Sequence, residues 1–262
     1  MRIISLCPSN SEILFAIGAG GQVVAVEKWT DYPPEAARLP KVGTELSVDI
    51  DAVRALKPDL VVASLSVPGM ERTVHALQES GLCHIVLDPH SIEEIYEDII
   101  RVGEAVDVEQ NALELVDRMR CEIDAVRASA GGRREARVYV EWWPRPAITP
   151  GRKSWTDAMI RVAGGRNIFS DIAAPSAPVE YKDVVMRDPE IILLCWAGIH
   201  KAVIEKRLID PTFLSSREGW GGINAVRSKR IQVVDEGWYG RPGPRIVLGI
   251  RQMAEFIAAL DE

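Results

Sequence analysis

The chain has 262 residues, of which 47% are hydrophobic and 26% are charged, a composition that excludes a disordered chain, a collagen-like repeat and a small disulfide scaffold. Its 31 basic and 38 acidic residues give a net charge of -7, which argues against a protein that binds the phosphates of nucleic acid. No apolar run approaches the roughly 18 residues that would span a bilayer, so we expect no membrane span.

The first ninety residues alternate short β-branched runs with helical patterns, an order typical of a parallel sheet with helices on both faces. The predicted strands are residues 2–6, 22–26, 60–63 and 84–87. The predicted helices are one that carries Ile13, Leu14 and Ile17 and ends at Gly18, then residues 48–56 and 70–80. Residues 1–106 are therefore predicted to form an N-terminal α/β lobe.

The middle of the chain predicts helices only. Ser91 and Glu94 have the spacing of a capping box, and Asp107 with Gln110 predicts a second helix start. The apolar stripe that follows runs to residue 128, and about 21 helical residues span about 30 Å. We expect residues 107–130 to form a helix between two lobes, with a start near residue 91 as the alternative.

The α/β alternation then restarts. Strands are predicted at residues 137–142, 191–195 and 231–235, and helices at 154–162, 181–187 and 244–260. Residues 131–262 are predicted to form the second lobe. The expected fold class is α/β, with two Rossmann-like lobes joined by a single long α-helix.

Motifs for catalysis and metal binding are absent from the sequence. There is no P-loop and no nucleophile elbow, and the glycines at 18, 20 and 21 follow a helix, where they predict a helix end and a turn. Cys7, Cys83, Cys121 and Cys195 are far apart in apolar surroundings and predict buried free thiols. We therefore expect that the protein is not an enzyme and has no catalytic residue, no cofactor and no metal site.

Tryptophan is unusually common, with seven Trp against five Tyr and four Phe. Five of the seven lie at or just beyond the carboxyl ends of predicted strands, where an α/β sheet binds its ligands: Trp29, Trp142, Trp143, Trp196 and Trp238. Large rigid aromatic side chains at one rim suit a bulky, flat, partly apolar small molecule.

Polar residues beyond predicted strands complete the predicted ligand contacts: Ser9, Asn10, Asp31, Tyr32, Tyr239, Arg241 and Arg245. Ser9 and Asn10 begin a predicted helix, where free backbone N–H groups can receive an acceptor; N-capping of that helix is the alternative role. Arg241 and Arg245 flank a stiff Pro-Gly-Pro turn that would hold a guanidinium at the rim.

Four stretches resemble the class III periplasmic binding proteins, the receptors of ABC importers for cobalamin, ferric siderophores and haem. These stretches are residues 2–18, 40–43, 56–61 and 241–245. The Ser-Leu-x-Pro-Ser-x-x-Glu opening and the Arg-Pro-Gly-Pro-Arg ending resemble the cobalamin-binding branch most closely. The resemblance implies a corrinoid ligand, cobalamin above all, in a cleft between the lobes.

The resemblance also implies partners: an ABC permease and, through it, an ATPase. Glu71 matches the family's docking carboxylate in the first lobe, whereas Lys182 stands at the corresponding position of the second lobe, with Glu180 close by as the substitute. The family's role places the chain, expected to be a monomer, in the periplasm or cell envelope. Residues 1–8 do not form a signal peptide, so a cytoplasmic location is the alternative if Met1 is the native start.

Two other functions stay open at this point. A siderophore receptor of the same fold would use converging arginines, for which Arg241 and Arg245 are candidates. A haem receptor of the same fold would use an axial ligand, for which Tyr32 or Tyr239 is a candidate. A cytoplasmic protein or enzyme that handles tetrapyrroles would use the same two-lobed frame.

Overall fold

The computed structural model describes residues 1–44, 46–199, 201–210, 213 and 216–260. The chain divides into two compact units. Unit 1 comprises Met1–Pro89, Glu93–Met119 and Pro242–Pro244. Unit 2 comprises His90–Ile92, Arg120–Arg241 and the described chain from Arg245 onward.

Unit 1 is built on a parallel four-stranded sheet of order β2-β1-β5-β6 and a small antiparallel ribbon, β3-β4. The strands are β1 (Ile3–Ser5), β2 (Val23–Val26), β3 (Gly43–Thr44), β4 (Ser47–Val48), β5 (Leu60–Ser64) and β6 (His84–Leu87). The helices that lie wholly or partly in this unit are α1 (Pro8–Ala16), α2 (Pro34–Ala37), α3 (Ile50–Ala55), α4 (Glu71–Ser80), α5 (Ile92–Ala105) and α6 (Glu109–Ala130).

The strands and helices of unit 1 are buried in the way that is typical of a parallel sheet covered on both faces. Every residue of β5 is buried, as expected for a central strand with helices on both faces. Val74 and Leu77, three residues apart on α4, pack into the same core cluster as Ile4 and Val61. Because all four strands run in one direction, their carboxyl ends meet at one edge of the sheet.

The long helix begins later than its earliest predicted start. Helices α5 and α6 are separate, because Asp107 has a positive φ of 59° and the Val108 N–H donates to the Gly103 carbonyl at 2.8 Å. The start near residue 91 is therefore wrong, and the helix begins at Glu109. Its 22 residues extend about 33 Å, and the chain passes from unit 1 to unit 2 between Met119 and Arg120.

Unit 2 has a second parallel sheet of four strands, of order β10-β7-β12-β13, and an antiparallel sheet of order β11-β9-β8. The strands are β7 (Ala136–Glu141), β8 (Trp143–Pro144), β9 (Ala147–Pro150), β10 (Gly165–Asn167), β11 (Ser176–Val179), β12 (Ile191–Leu194) and β13 (Ile231–Val233). The helices are α7 (Trp155–Val162), α8 (Tyr181–Arg187), α9 (Lys201–Ile209), α10 (Asn224–Arg227), α11 (Glu236–Tyr239) and α12 (Ile246–Ala258).

The two parallel sheets have the same strand order: counted along the chain, the first strand of each sheet lies between the second and the third strand of that sheet. The predicted fold class is thus confirmed as two α/β units with parallel sheets, linked through a long helix. The predicted domain limits of residues 1–106, 107–130 and 131–262 stay a prediction. The antiparallel sheet was not predicted, because its strands are short and contain Pro144, Pro150 and Pro178, residues that ordinarily argue against a strand.

The cysteine prediction is half right. Cys7 and Cys195 are buried, but Cys83 and Cys121 are exposed, and all four are free thiols. Cys83 precedes β6 next to a turn, and Cys121 lies on the outward face of α6, two residues before the buried Ile123. An apolar neighbourhood in sequence did not identify which face of the element each thiol occupies.

Glu190 predicts how the stability of unit 2 depends on pH. Arg134 binds its two carboxylate oxygens at 2.7 and 2.9 Å, and the Arg137 N–H donates to it at 3.0 Å. The hydrogen bonds from Arg134 are the main reason that the pKa of Glu190 falls from 4.5 to about 2. A depressed carboxyl pKa stabilises the fold above the unfolded pKa, and this stabilisation is lost as pH falls through the folded pKa.

We therefore expect Glu190→Gln to be less stable than the wild-type chain at pH 6, and the difference to shrink steadily between about pH 4.5 and pH 2. Urea denaturation at pH 6, 4 and 3 measures this difference. Glu135→Gln, at an exposed carboxylate nearby, is the matched control. A stability difference between wild type and Glu190→Gln that is the same at pH 6 and pH 3 would contradict the role given to Glu190.

Candidate ligand-binding residues

Ser9 and Asn10 lie beyond the carboxyl end of β1, inside the first turn of α1. The N-cap of this helix is Cys7, so neither residue caps it, and the alternative capping role is wrong. Both side chains are buried, and the Asn10 amide donates to the Val62 and Ala63 carbonyls at 3.1 and 3.0 Å. Asn10 therefore ties α1 to β5, and its amide donor is occupied within unit 1.

The loop after β2 presents the other candidates of unit 1. Trp29 is 49% exposed, and the Lys28 ammonium lies 4.9 Å from the centroid of its ring. Asp31 and Tyr32 are exposed next to it. Because β1 and β2 are adjacent parallel strands, this loop and the start of α1 lie at the same edge of the sheet. A ligand at this edge would find an accessible indole and an accessible phenol.

Sequence reasoning missed the residue that holds this loop in place. The Glu27 carboxylate is fully buried; it accepts the Trp29 N–H at 2.7 Å and the Thr30 hydroxyl at 2.9 Å. Lys41 donates to the Thr30 carbonyl at 3.0 Å, and burial lowers the pKa of its ammonium while Glu27 and Asp31 oppose that shift. A charged residue directly after a buried strand was the available signal for Glu27.

The candidates of unit 2 follow three parallel strands and lie at one edge of its sheet. Trp142 and Trp143 come directly after β7, Trp196 follows β12, and Trp238 lies in α11 after β13. Trp142 is half-buried and packs on Trp155, with ring centroids 5.7 Å apart. Trp143 is 38% exposed and Trp238 half-buried, whereas Trp196 is almost entirely covered.

A buried carboxylate organises this edge as well. Glu141 ends β7, has no exposed surface, and accepts hydrogen bonds from the Trp196 indole at 3.0 Å and the Tyr139 hydroxyl at 3.2 Å. Arg217 donates to both of its oxygens, at 2.8 and 2.9 Å, in a bidentate pair. The Trp196 ring is thus fixed by a group that pairs with a residue 76 positions away.

Aromatic rings surround the Arg217 guanidinium. Its central carbon lies 4.2 Å from the ring centroid of Trp220, 4.4 Å from that of Tyr181 and 4.6 Å from that of Phe213. Each ring presents its negative face to the cation, so the rings compensate part of the cost of burying it. Burial raises the pKa of the nearby Tyr139 and Tyr181 hydroxyls, which keeps both neutral.

A cavity of about 320 Å³ opens beside this cluster, at the lower end of the size range of small-molecule sites. The residues that line it are Trp143, Pro144, Arg145, Trp196, Arg207, Phe213, Ser216 and Arg217. Two of the five predicted tryptophans therefore share one cavity. Sequence reasoning missed its arginines, because nothing in their local pattern distinguishes them from other surface arginines.

Tyr239 needs a correction. It is fully buried; its hydroxyl donates to Gln252 at 3.1 Å, and its carbonyl accepts from the Trp155 indole at 3.3 Å and the Thr156 hydroxyl at 3.1 Å. The structure places this residue in the core of unit 2, because α11 turns its side chain toward α12. Tyr239 is therefore not an accessible ligand contact.

Arg241 and Arg245 stand on either side of Pro242–Pro244, as expected. Arg241 is largely buried and binds the Glu236 carboxylate at 2.8 Å. The Arg245 guanidinium packs directly on Gly237, where any side chain would collide with it. Both guanidinium groups are thus held by α11 within unit 2.

The two docking candidates are exposed carboxylates at helix starts. Glu71 opens α4 and accepts the Gly69 N–H at 2.7 Å. Glu180 immediately precedes α8 and lines a surface cavity of about 620 Å³ together with Lys182 and Met186. Their role in docking stays a prediction.

Comparison with known proteins places the chain in a family. Residues 3–236 match the family described as "Periplasmic binding protein". The chain is 32% identical to the uncharacterized ABC transporter substrate-binding lipoprotein YvrC of Bacillus subtilis (strain 168), over 98% of this chain and 79% of that protein. It is 28% identical to the vitamin B12-binding protein of Salmonella choleraesuis (strain SC-B67), over 99% and 91% of the two chains.

Solved structures share the fold. The periplasmic vitamin B12-binding protein BtuF of Vibrio cholerae superposes with a TM-score of 0.84 at 24% identity, over 100% of this chain and 98% of that one. The periplasmic heme-binding protein RhuT from Roseiflexus sp. RS-1 superposes with a TM-score of 0.83 at 25% identity, over 97% of each chain. Among the helices that the structure describes, none combines the length and the apolar character needed to cross a membrane.

Proposed function

The chain belongs to the periplasmic binding protein family, and we propose that it serves an ABC importer by binding a corrinoid such as cobalamin. The observation that carries the proposal is the cavity where Trp143 and Trp196 meet at the carboxyl edge of the unit 2 sheet. Trp143 is 38% exposed and offers a flat apolar face to a macrocycle, and the largely covered Trp196 forms part of the cavity wall beside it. The relatives named for vitamin B12 support the corrinoid over other flat ligands.

Haem is the second candidate, and two observations favour it. A heme-binding structure superposes nearly as well as the vitamin B12-binding one, with TM-scores of 0.83 and 0.84. Tyr32 is exposed and therefore accessible as an axial iron ligand, whereas Tyr239 is buried in the core. The Trp-lined cavity suits either macrocycle, and the corrinoid remains our proposal because relatives named for vitamin B12 match nearly the whole chain.

The proposed role is binding and delivery, without catalysis. We expect the monomeric chain to work at the cell envelope and to hand its ligand to a permease, which an ATPase drives. Glu71 and Glu180 are the proposed docking carboxylates, because both are exposed and lie at helix starts.

A fluorescence titration tests the proposal. We expect cyanocobalamin to quench the tryptophan emission with saturation at micromolar ligand, and Trp143→Ala to weaken binding about tenfold, or about 1.4 kcal/mol, because the corrin loses a stacking face. N-acetyltryptophanamide corrects for light absorbed by the ligand. Met186→Ala, which removes another exposed large apolar side chain outside the 320 Å³ cavity, is the matched control. Equal affinities of wild type and Trp143→Ala would exclude this cavity as the corrinoid site.

A further inference from the structure

The cavity beside Trp143 and Trp196 carries an excess of positive charge. Three arginines and no carboxylate are among the residues that line it. Arg217 is neutralised by its bidentate pair with Glu141. Within the part of the chain that the structure describes, neither Arg145 nor Arg207 forms an ion pair, so two guanidinium charges lie uncompensated at this cavity.

Local structure holds both arginines at the cavity. Arg145 lies in the two-residue turn between β8 and β9, and its carbonyl accepts the Trp143 indole N–H at 3.1 Å. This hydrogen bond fixes the Trp143 indole relative to the backbone of Arg145. Arg207 lies on α9, and its guanidinium carbon is 5.4 Å from the centroid of the Trp196 ring. The Arg145 backbone is therefore fixed beside Trp143, and the Arg207 guanidinium lies beside Trp196.

The chemistry of this pairing selects a ligand class. A guanidinium binds a carboxylate or a phosphate through two parallel N–H donors, a match that a neutral amide does not reproduce. Trp143, Pro144, Trp196 and Phe213 make much of the lining apolar, so an anion in the cavity interacts more strongly with the two charges than it would in bulk solvent. A flat ring with an anionic arm suits both the Trp143 indole and the two arginines.

We propose that Arg145 and Arg207 form an anion subsite, which binds a phosphate or carboxylate group of the ligand while its ring system lies against the exposed indole of Trp143. The inference rests on the proposed function and adds to it the charge of the ligand. Two sources supply such a group: the phosphodiester of cobalamin's nucleotide arm and the carboxylates of haem.

Matched ligand pairs separate the two sources. Dicyanocobinamide keeps the corrin ring and lacks the phosphodiester, and haemin dimethyl ester keeps the porphyrin and lacks the free carboxylates. The dissociation constants of cyanocobalamin, dicyanocobinamide, haemin and haemin dimethyl ester are measured for wild type, Arg145→Gln, Arg207→Gln and the double variant. Arg166→Gln, at an exposed arginine outside the cavity, is the control for loss of charge alone.

We expect each single substitution to weaken binding of the ligand that carries the anionic group about tenfold, and the double variant to weaken it further, with no change for the counterpart that lacks this group. Arg207→Lys keeps the charge but loses the planar guanidinium with its parallel N–H donors. The affinity of this variant should fall between those of wild type and Arg207→Gln. Equal affinities of wild type and the double variant would overturn the anion subsite alone. Failure of wild type to bind any of the four ligands would overturn the proposed function and the subsite together.

Discussion

Replacing Arg217 with methionine is expected to lower the free energy of unfolding by about 3–5 kcal/mol, because it leaves the Glu141 carboxylate as an unpaired charge in the interior. Glu141 has no exposed surface and the Arg217 side chain is 4% exposed, so water does not replace the lost donors. Trp220, Tyr181 and Phe213 lose the cation that their rings enclose. Urea denaturation monitored by circular dichroism measures the loss.

Two further variants separate the cost of the unpaired charge from the loss of the side chain. Glu141→Met with Arg217→Met removes the charge, and we expect it to recover part of the stability. Recovery should be incomplete, because the Trp196 indole and the Tyr139 hydroxyl lose their acceptor. Arg166→Met, at an exposed arginine, should change the stability by less than about 0.5 kcal/mol. An Arg217→Met variant as stable as Arg166→Met would contradict the buried ion pair.

Replacing Trp220 with alanine should destabilise the chain by about 3–5 kcal/mol, since it opens a large cavity in the core of unit 2. Trp220 is fully buried and meets Tyr139 and Tyr181 edge to face, at centroid distances of 6.3 and 5.3 Å. Trp220→Phe should cost less, because it keeps an aromatic face toward Arg217 and removes an indole N–H that has no partner among the described residues.

Trp29→Ala is the matched control, because Trp29 is half exposed and bears on ligand binding in our account, not on the core. Its effect on urea denaturation should stay within about 0.5 kcal/mol. A loss of stability in Trp29→Ala as large as that in Trp220→Ala would contradict the core role given to Trp220.

The elements that could be predicted from the sequence are those with strong local signals. His84–Leu87 and Tyr181–Arg187 have the predicted bounds, since a β-branched run and an amphipathic pattern with clear ends determine them. The break at Asp107 was visible as a helix start, and the structure decided between two helices and one. The sheet of β8, β9 and β11 was missed because distant pairing, and not local propensity, makes its strands.

The candidate site could also be predicted only in part from the sequence. Positions after strands were predicted well, because parallel strands end at one edge and the chain order places Trp143 and Trp196 there. What a side chain does at that edge depends on partners far away in sequence. Glu141 with Arg217 shows this, as does Asn10, whose amide is taken by β5. Tyr239 was wrongly placed at the rim because α11 decides its direction.

Isothermal titration of the purified full chain with cyanocobalamin, and separately with haemin, distinguishes a corrinoid receptor from a haem receptor. We expect one corrinoid to bind per chain with a dissociation constant of about 1 μM or tighter, which corresponds to about 8 kcal/mol of binding free energy. We expect haemin to bind more weakly. Absence of binding heat with cyanocobalamin at tens of micromolar, together with saturable binding of haemin, would contradict the proposed corrinoid function.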